Sequence, residues 1–267
     1  MMRIIDGKKF EEIPQITENN EKFAYIISYK IQDGKAHDSV LIFPGGGYNH
    51  VSLQKEGSLI AEAFNAHGLN AYVLDYRVEP FSGHDYMKDA VTAVKTVRSI
   101  IAGQENKEGK LALMGFSAGG HLALMETEHY NDVGTGDTEL DKENGKPDAL
   151  ILCYPVVTFC DPYAHRGSRA NFLGMDHADD AACREQYSAE KHVEGDFPPA
   201  FLWHCEADNS VPVENSLMLR DALDAAGVRN KLITYPGGSH GLGLAPGEKI
   251  ISGWFSECVR WLKDVFS

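Results

Sequence analysis

A serine in a glycine-rich turn is the residue of this 267-residue chain that is best suited to chemistry. The turn reads Gly115-Phe116-Ser117-Ala118-Gly119, with the apolar run KLALM before it and the helix-like run HLALMETE after it. Glycines on both sides of a sharp strand-to-helix turn leave the serine hydroxyl clear of neighbouring side chains. The helix that starts there points backbone N–H groups at any negative charge that forms nearby. The pattern therefore predicts that Ser117 is a nucleophile.

A nucleophilic serine needs a base, and the base needs an acid that orients it, because an unassisted hydroxyl reacts poorly at neutral pH. After a turn of this kind the chain order is serine, acid, histidine, with the acid and the histidine following later strands. Asp208 follows the apolar run PAFLWHC, and His240 follows NKLITYP. Both would lie at the carboxyl ends of strands, where open α/β sheets place their sites. We therefore predict a catalytic triad of Ser117, Asp208 and His240.

Four other residues could compete for these roles. Glu206 lies two positions before the predicted acid and is an alternative to it. His121 lies one helical turn after the serine, and a packing role between helix and sheet fits it better than the role of the base. His204 and Cys205 fall inside a predicted strand, so we expect both to be core residues.

A second glycine-rich turn follows the second predicted strand and reads PGGGY from Pro44. Acyl transfer places negative charge on the substrate oxygen, and preorganised N–H donors must meet that charge. Glycine backbones can approach a substrate closely because they carry no side chain. We predict an oxyanion hole formed by the amides of Gly46, Gly47 and Ala118, with Gly45 as an alternative donor.

Apolar runs and helical patterns alternate along the chain and predict the elements that must position these residues. The predicted strands are 23–30, 38–43, 69–76, 110–116, 149–155, 199–205 and 230–236. The predicted helices are 54–67, 85–101, 117–130, 213–226 and 247–265. Strands separated by helix-length segments imply parallel crossover units with helices on both faces of the sheet. We expect one α/β domain over residues 1–267.

Two segments interrupt this alternation. Residues 131–148 are polar and rich in turn residues, with six acids against two lysines, and are expected to be a surface loop. Residues 156–198 are longer than a simple connection, and a segment of that size usually carries helices or a function. We predict that 156–198 is a lid or a binding-site insertion within the same domain.

Composition and charge exclude several classes of protein. The chain is 43% hydrophobic and 24% charged, which is typical of globular proteins and unlike disordered ones. Its net charge of −14 repels nucleic acid and anionic lipid. No apolar run approaches the length of about 20 residues that a membrane helix needs. The first fifteen residues lack the apolar segment of a secretory signal. The five cysteines are odd in number without a CxxC pair, which favours free thiols in the cytoplasm.

No cofactor or metal is expected from the sequence. A dinucleotide-binding turn would need glycine where Ser117 stands, and no phosphate-binding Gly-Lys-Ser or Gly-Lys-Thr sequence follows. None of the eleven histidines has another within five residues, so a helical His-x3-His zinc pair is absent. The acids of 137–143 lack the glycine and the final glutamate of an EF-hand loop.

Segments along most of the chain resemble the acetyl-esterase branch of the α/β-hydrolases, the group related to acetylxylan esterases. They are FPGGGYNHVS, LDYRV, MGFSAGGHLA, CYPVVTF, HVEGDFPPAFLWH, DNSVPVENSLML and GGSHGL, and they occur in the family's order between about residues 20 and 265. The resemblance implies an eight-stranded, mostly parallel sheet and the triad described above. It also implies removal of acetyl groups from sugar or oligosaccharide esters. Many related esterases have histidine before the glycines, and Pro44 at that position is closer to the carbohydrate-directed branch.

The same triad suits other reactions as well. A general short-chain carboxylesterase, or an amide or formamide hydrolase, would use the same residues. A hydrolase fold that only binds a ligand is a more remote alternative. Several side chains of the insertion could contact a sugar or could only pack within the insertion, namely Phe159, Tyr163, His165, Arg166 and Phe172. The expected partner is a small-molecule ester, and acetylated xylo-oligosaccharides are the first substrates to test.

Overall fold

A sheet of eight strands forms the centre of the molecule. The structure is a computed structural model, and it describes residues 2–7, 23–103 and 109–267. The strands are β1 (Arg3–Asp6), β2 (Tyr25–Tyr29), β3 (Ser39–Phe43), β4 (Asn70–Asp75), β5 (Leu111–Phe116), β6 (Ala149–Cys153), β7 (Ala200–Cys205) and β8 (Asn230–Tyr235).

The strands lie in the order β1-β2-β4-β3-β5-β6-β7-β8. β2 pairs with β4 in the antiparallel direction, whereas the pairs from β4 through β8 are parallel. β1 runs parallel to β2 at the other end. The prediction of a mostly parallel, eight-stranded sheet is thereby confirmed. The order also brings the carboxyl ends of β3, β5, β7 and β8 to the same edge.

Helices connect the strands and cover the sheet. They are α1 (Leu59–Ala66), α2 (Gly83–Ala102), α3 (Ala118–His129), α4 (Arg166–Leu173), α5 (Ala181–Gln186), α6 (Glu214–Ala225) and α7 (Trp254–Phe266). Among the described residues, no helix is both long enough and apolar enough to cross a membrane.

Apolar side chains alternate along the strands and fill a core on each face of the sheet. In β3, Leu41 and Phe43 belong to the core that includes residues of α2, α3 and α6. Val40 and Ile42 belong to the other core, which includes residues of α1 and α7. Successive side chains of a strand point to opposite faces, so an apolar strand such as β3 must be covered on both. Helices on both faces were therefore correctly predicted.

The described elements differ from the predicted ones in three places. β1 was not foreseen, because its four residues are mostly exposed and show no apolar alternation. The pattern of 54–67 forms a π-helical turn, Gln54–Ser58, before α1 begins. The helix predicted over 247–265 begins only at Trp254, after a 3-10 turn at Ile251–Gly253, and Gly247 has a φ of +90° that an α-helix cannot accommodate.

The two irregular segments differ in their content. The 131–148 segment is largely exposed and contains only a short 3-10 turn, as a surface loop would. The 156–198 segment contains α4, α5 and a 3-10 turn at Ala189–Lys191. Its role as a lid remains a prediction. The five cysteines are free thiols, as predicted.

Candidate active site

Ser117 lies in a strained turn between β5 and α3. Its φ of 52° and ψ of −121° fall in a region that side-chain-bearing residues rarely adopt. A Cβ atom at Gly115 would lie 2.3 Å from the carbonyl oxygen of Gly119, and one at Gly119 would lie 2.1 Å from that of Phe43. Only glycine fits at these two positions, so the turn keeps the sharp geometry that the sequence predicts.

The three residues of the predicted triad form one chain of hydrogen-bond contacts. Ser117 Oγ lies 2.8 Å from His240 Nε2, and His240 Nδ1 lies 2.7 Å from Asp208 Oδ2. The other carboxylate oxygen, Oδ1, accepts hydrogen bonds from the amides of Ser210 and Val211 at 2.9 Å each. Both oxygens of the carboxylate are therefore held by hydrogen bonds. The order of contacts, from serine through histidine to acid, is the one that general-base activation of a serine requires.

The carboxylate of Asp208 is kept ionised by its hydrogen bonds. Burial raises the pKa of this carboxyl group, but hydrogen bonds from His204 and His240 outweigh burial and bring the pKa well below its usual range. His204 Nε2 lies 3.4 Å from Asp208 Oδ2 and 2.9 Å from the carbonyl oxygen of Val211. His204 is fully buried, as predicted, yet it also contacts the candidate acid, which the sequence did not indicate.

The alternative residues lie in other surroundings. Glu206 Oε1 accepts a hydrogen bond from Thr234, and Glu206 is exposed. His121 is fully buried and lies within hydrogen-bond distance of the Tyr187 carbonyl oxygen, and burial lowers its pKa to about 4. Burial raises the pKa of the Cys205 thiol to about 11. The buried environments of His121 and Cys205 suit packing residues, and none of the three residues is brought to the serine as a rival base.

The glycine turn after β3 lies beside the serine, and its hydrogen bonds show which of the candidate oxyanion donors are available. Gly46 and Gly47 adopt φ values of 137° and 63°, and a Cβ at Gly46 would lie 1.9 Å from the carbonyl oxygen of His50. The amide of Gly45 donates to Glu56 Oε2 at 2.8 Å, so it is not available to a substrate. Throughout 2–7, 23–103 and 109–267, no protein hydrogen bond uses the amides of Gly46 and Gly47. Those two amides can therefore receive a substrate oxygen.

A cleft of about 570 Å³ opens above the serine. Its lining is polar or glycine throughout, with Gly46, Gly47, Asn49, His50, Ser52, Lys55, Glu56, Ser117, His165, Gly167, Asn171, Ser210, His240 and Gly241. Within the part of the chain that the structure describes, no Leu, Ile, Val, Met, Phe, Tyr or Trp side chain lines this cleft, whereas a long acyl chain would need such an apolar surface. The arrangement can hold a hydrophilic ester with its carbonyl group at the serine.

The BD-FAE family model matches residues 27–223, which is most of the chain. The chain belongs to the BD-FAE family. An endo-1,4-β-xylanase B of Butyrivibrio fibrisolvens is 35% identical over 261 residues, covering 93% of this BD-FAE chain and 40% of the relative. An acetylxylan esterase of Xylanibacter ruminicola is 29% identical over 225 residues, covering 83% and 44%. The chain thus spans less than half the length of these two relatives.

Solved structures confirm the α/β-hydrolase fold of this BD-FAE chain. An acetyl ester-xyloside bifunctional hydrolase from Caldicellulosiruptor lactoaceticus superposes with a TM-score of 0.85 at 32% identity, covering 99% of this chain and 98% of the other. The esterase Est2 of Thermogutta terrifontis, with propionate bound, gives a TM-score of 0.74 at 25% identity, with coverage of 91% and 90%. These similarities support a carboxylic ester hydrolase.

The 156–198 segment of this BD-FAE chain contributes to the cleft through α4 and the residue before it. His165 lines the cleft, and its pKa is lowered by burial and by the nearby His240. Asn171 donates a hydrogen bond to the carbonyl oxygen of Gly47 at 2.8 Å. Phe159 and Phe172, by contrast, are buried and pack against each other. Of the five side chains considered for sugar contact, His165 is therefore the one that the cleft contains.

One group of the described residues could hold a metal ion in this BD-FAE chain. Donor atoms of His177, Asp180 and Cys183 lie within 4.8 Å of one another. The group lies in the 156–198 segment, and its members do not line the cleft above Ser117. The contacts between serine, histidine and acid do not involve it.

Proposed function

We propose that this chain is a serine-dependent carboxylic ester hydrolase that removes acetyl groups from small carbohydrate esters, such as acetylated xylo-oligosaccharides. The observation that carries the proposal is the contact chain from Ser117 through His240 to Asp208 at the base of a cleft lined by polar residues and glycines. The names of two similar proteins, an acetylxylan esterase and an acetyl ester-xyloside hydrolase, support the choice of ester.

The proposed cycle begins with transfer of the Ser117 proton to His240 Nε2 while Oγ attacks the acetyl carbonyl carbon. Asp208 holds the imidazole in the required tautomer and stabilises the imidazolium that forms. The amides of Gly46, Gly47 and Ala118 are proposed to stabilise the oxyanion.

His240 then gives its proton to the departing sugar oxygen, which leaves an acetyl-serine. Water attacks this acyl group by the same route, with His240 again as the base, and releases acetate. The balance closes with one water consumed and one alcohol and one acid formed. This cycle uses neither cofactor nor metal.

The lining of the cleft supports a hydrophilic substrate. Asn49, His50, Lys55 and Ser210 offer donors and acceptors to sugar hydroxyl groups. The described residues that line the cleft include no Leu, Ile, Val, Met, Phe, Tyr or Trp side chain that would hold a long acyl chain. Free thiols support a reducing compartment, so we propose a cytoplasmic enzyme that acts on imported oligosaccharides. A general short-chain carboxylesterase is the second candidate, because structures of a similar esterase contain propionate and butyrate.

Hydrolysis of p-nitrophenyl esters from acetate to octanoate, beside acetate release from acetylated xylo-oligosaccharides, tests the proposal. Ser117→Ala is the control, and it should lack turnover while keeping its fold. We expect fast cleavage of the acetate, a steep decline by butyrate and release of acetate from the sugars. Activity that is flat or rising with chain length, without release from sugars, would favour the general carboxylesterase. Esterase activity that survives in Ser117→Ala would refute the serine mechanism.

A further inference from the structure

Glu56 is a buried carboxyl group in the wall of the cleft, and the proposed cycle gives it no step. The residue is only 4% exposed and lines the cleft beside Ser117. Its Oε2 accepts a hydrogen bond from the amide of Gly45 at 2.8 Å, and its Oε1 accepts one from the hydroxyl of Tyr154 at 2.7 Å. The carboxyl group therefore joins the glycine turn after β3 to the residue that follows β6.

Tyr154 extends this contact to the loop that carries His240. The hydroxyl of Tyr154 donates to Glu56 and accepts a hydrogen bond from the amide of Gly243 at 3.0 Å. Its ring packs edge-to-face against the ring of His240, with 4.9 Å between the ring centres. Burial, and then the charge of Glu56, raises the pKa of the phenol well above its usual value, so the hydroxyl retains the proton that it donates.

The same region has no room for a side chain at two of its glycines. A Cβ atom at Gly45 would lie 2.7 Å from Glu56 Oε2 and 2.9 Å from Ser117 Cβ. A Cβ atom at Gly243 would lie 2.9 Å from the carbonyl oxygen of Lys55. Because these surfaces are in direct contact, a displacement of Glu56 would be passed on to the turn and to the histidine loop.

Burying a carboxyl group costs free energy, and an apolar side chain could fill the same space. Such a side chain would leave the Gly45 amide and the Tyr154 hydroxyl buried without an acceptor. The Gly45 amide belongs to the turn that carries the proposed oxyanion amides, and the Tyr154 hydroxyl contacts the loop that carries the proposed base. The benefit of the buried carboxyl group is therefore geometric.

We propose that Glu56 is a positioning residue that, through Tyr154, fixes the oxyanion turn and the His240 loop relative to each other. The inference rests on the proposed function, since it assigns a role in that same reaction. Glu56 acts through the amide of Gly45 and the hydroxyl of Tyr154, and it does not touch the reacting atoms.

Glu56→Gln keeps the size of the side chain but has one oxygen where the wild type has two acceptors. If that oxygen faces Gly45, the amide group faces Tyr154, whose hydroxyl hydrogen then loses its acceptor. If it faces Tyr154, an N–H group of the glutamine opposes the amide of Gly45. One of the two segments is released in either orientation. We expect kcat to decrease by about 10- to 100-fold with KM changed by less than about 3-fold, since misplaced reacting groups impair the transition state more than binding.

The experiment measures kcat and KM for p-nitrophenyl acetate in the wild type, Glu56→Gln, Tyr154→Phe and the double variant. Rates are referred to active serine titrated with paraoxon, so that a loss of folded protein does not count as a loss of kcat. Glu126→Gln is the matched control, because Glu126 is also a buried glutamate but lies on α3 outside the cleft. Glu126→Gln should keep the wild-type kcat.

The double variant separates a shared bridge from two independent defects. If Glu56 and Tyr154 act as one unit, the double variant loses no more kcat than the more impaired single variant. Wild-type kcat per active serine in Glu56→Gln, or multiplied losses in the double variant, would overturn the inference while leaving the proposed function intact. A wild-type protein that cleaves no ester would overturn the proposed function and this inference with it.

Discussion

Asp208→Asn tests the proposed triad with a minimal change of shape. In the wild type, Oδ1 of Asp208 accepts hydrogen bonds from the amides of Ser210 and Val211 at 2.9 Å each. These two donors require an oxygen at that position, so the asparagine must turn its NH2 group toward His240. There the NH2 group meets Nδ1, which lies 2.7 Å from Oδ2 in the wild-type chain.

An amide donor in this place selects the wrong tautomer of His240. Nδ1 must then be the nitrogen without a proton, and the proton moves to Nε2, which lies 2.8 Å from Ser117 Oγ. A protonated Nε2 cannot accept the serine proton, so the general-base step is lost although the cleft keeps its shape. The same exchange in a serine protease triad lowers kcat about 10⁴-fold, or about 5 kcal/mol at the transition state. We expect a loss of that order here.

The assay is hydrolysis of p-nitrophenyl acetate at neutral pH, analysed as kcat and KM, with circular dichroism to verify folding. Glu206→Gln is the matched control, because Glu206 lies two residues away, is exposed and bonds Thr234 instead of His240. The control should retain wild-type kcat. A decrease of less than about 10-fold in Asp208→Asn, or a large decrease in Glu206→Gln, would refute the reasoning.

Two further predictions concern stability. Burial lowers the pKa of His121 to about 4, so between its unfolded pKa of about 6.5 and pH 4 only the unfolded chain takes up this proton. The free energy of unfolding should therefore decrease by about 3 kcal/mol as the pH falls through that window. In urea unfolding, the decrease between pH 7 and pH 4.5 should be smaller for His121→Asn than for the wild type, and equal decreases would contradict the assignment. In Gly119→Ala, the new Cβ would lie 2.1 Å from the carbonyl oxygen of Phe43 and 2.4 Å from that of Pro44. We expect a destabilisation of about 3 kcal/mol by urea unfolding, whereas Gly253→Ala, whose Cβ would have open space, should change little, and equal effects would contradict the packing argument.

The sheet and the proposed reacting residues could be predicted because each has a local pattern in the sequence. Ser117 lies between glycines, after an apolar run and before a helical one, so one short window indicates strand, turn and helix. Asp208 and His240 come shortly after β7 and β8, whose ends could be placed to within a residue or two. Parallel topology then brings all three to one edge without any knowledge of distances.

The residues that support the site could not be predicted in the same way. Glu56 lies in a helical pattern where an acid is ordinarily exposed, and Tyr154 ends an apolar strand where an aromatic residue is ordinarily core. They are 98 positions apart, and only the tertiary arrangement brings them together. His204 was correctly expected to be buried, but its contact with the candidate acid depends on a turn whose geometry no local pattern specifies.

His240 follows the outermost strand of the sheet. Among the described strands, β8 pairs with β7 alone, and five of its six residues are partly accessible. Every residue of β5, which leads to Ser117, is buried. Edge segments with few buried contacts open at lower free energy than the centre of a sheet. Gentle heating or dilute denaturant would therefore detach the base first, while the serine and both cores persist. Turnover would cease before the secondary structure melts, and it would return once the edge strand pairs again. Loss of activity would then report local unfolding at one edge of the sheet and not global unfolding of the molecule.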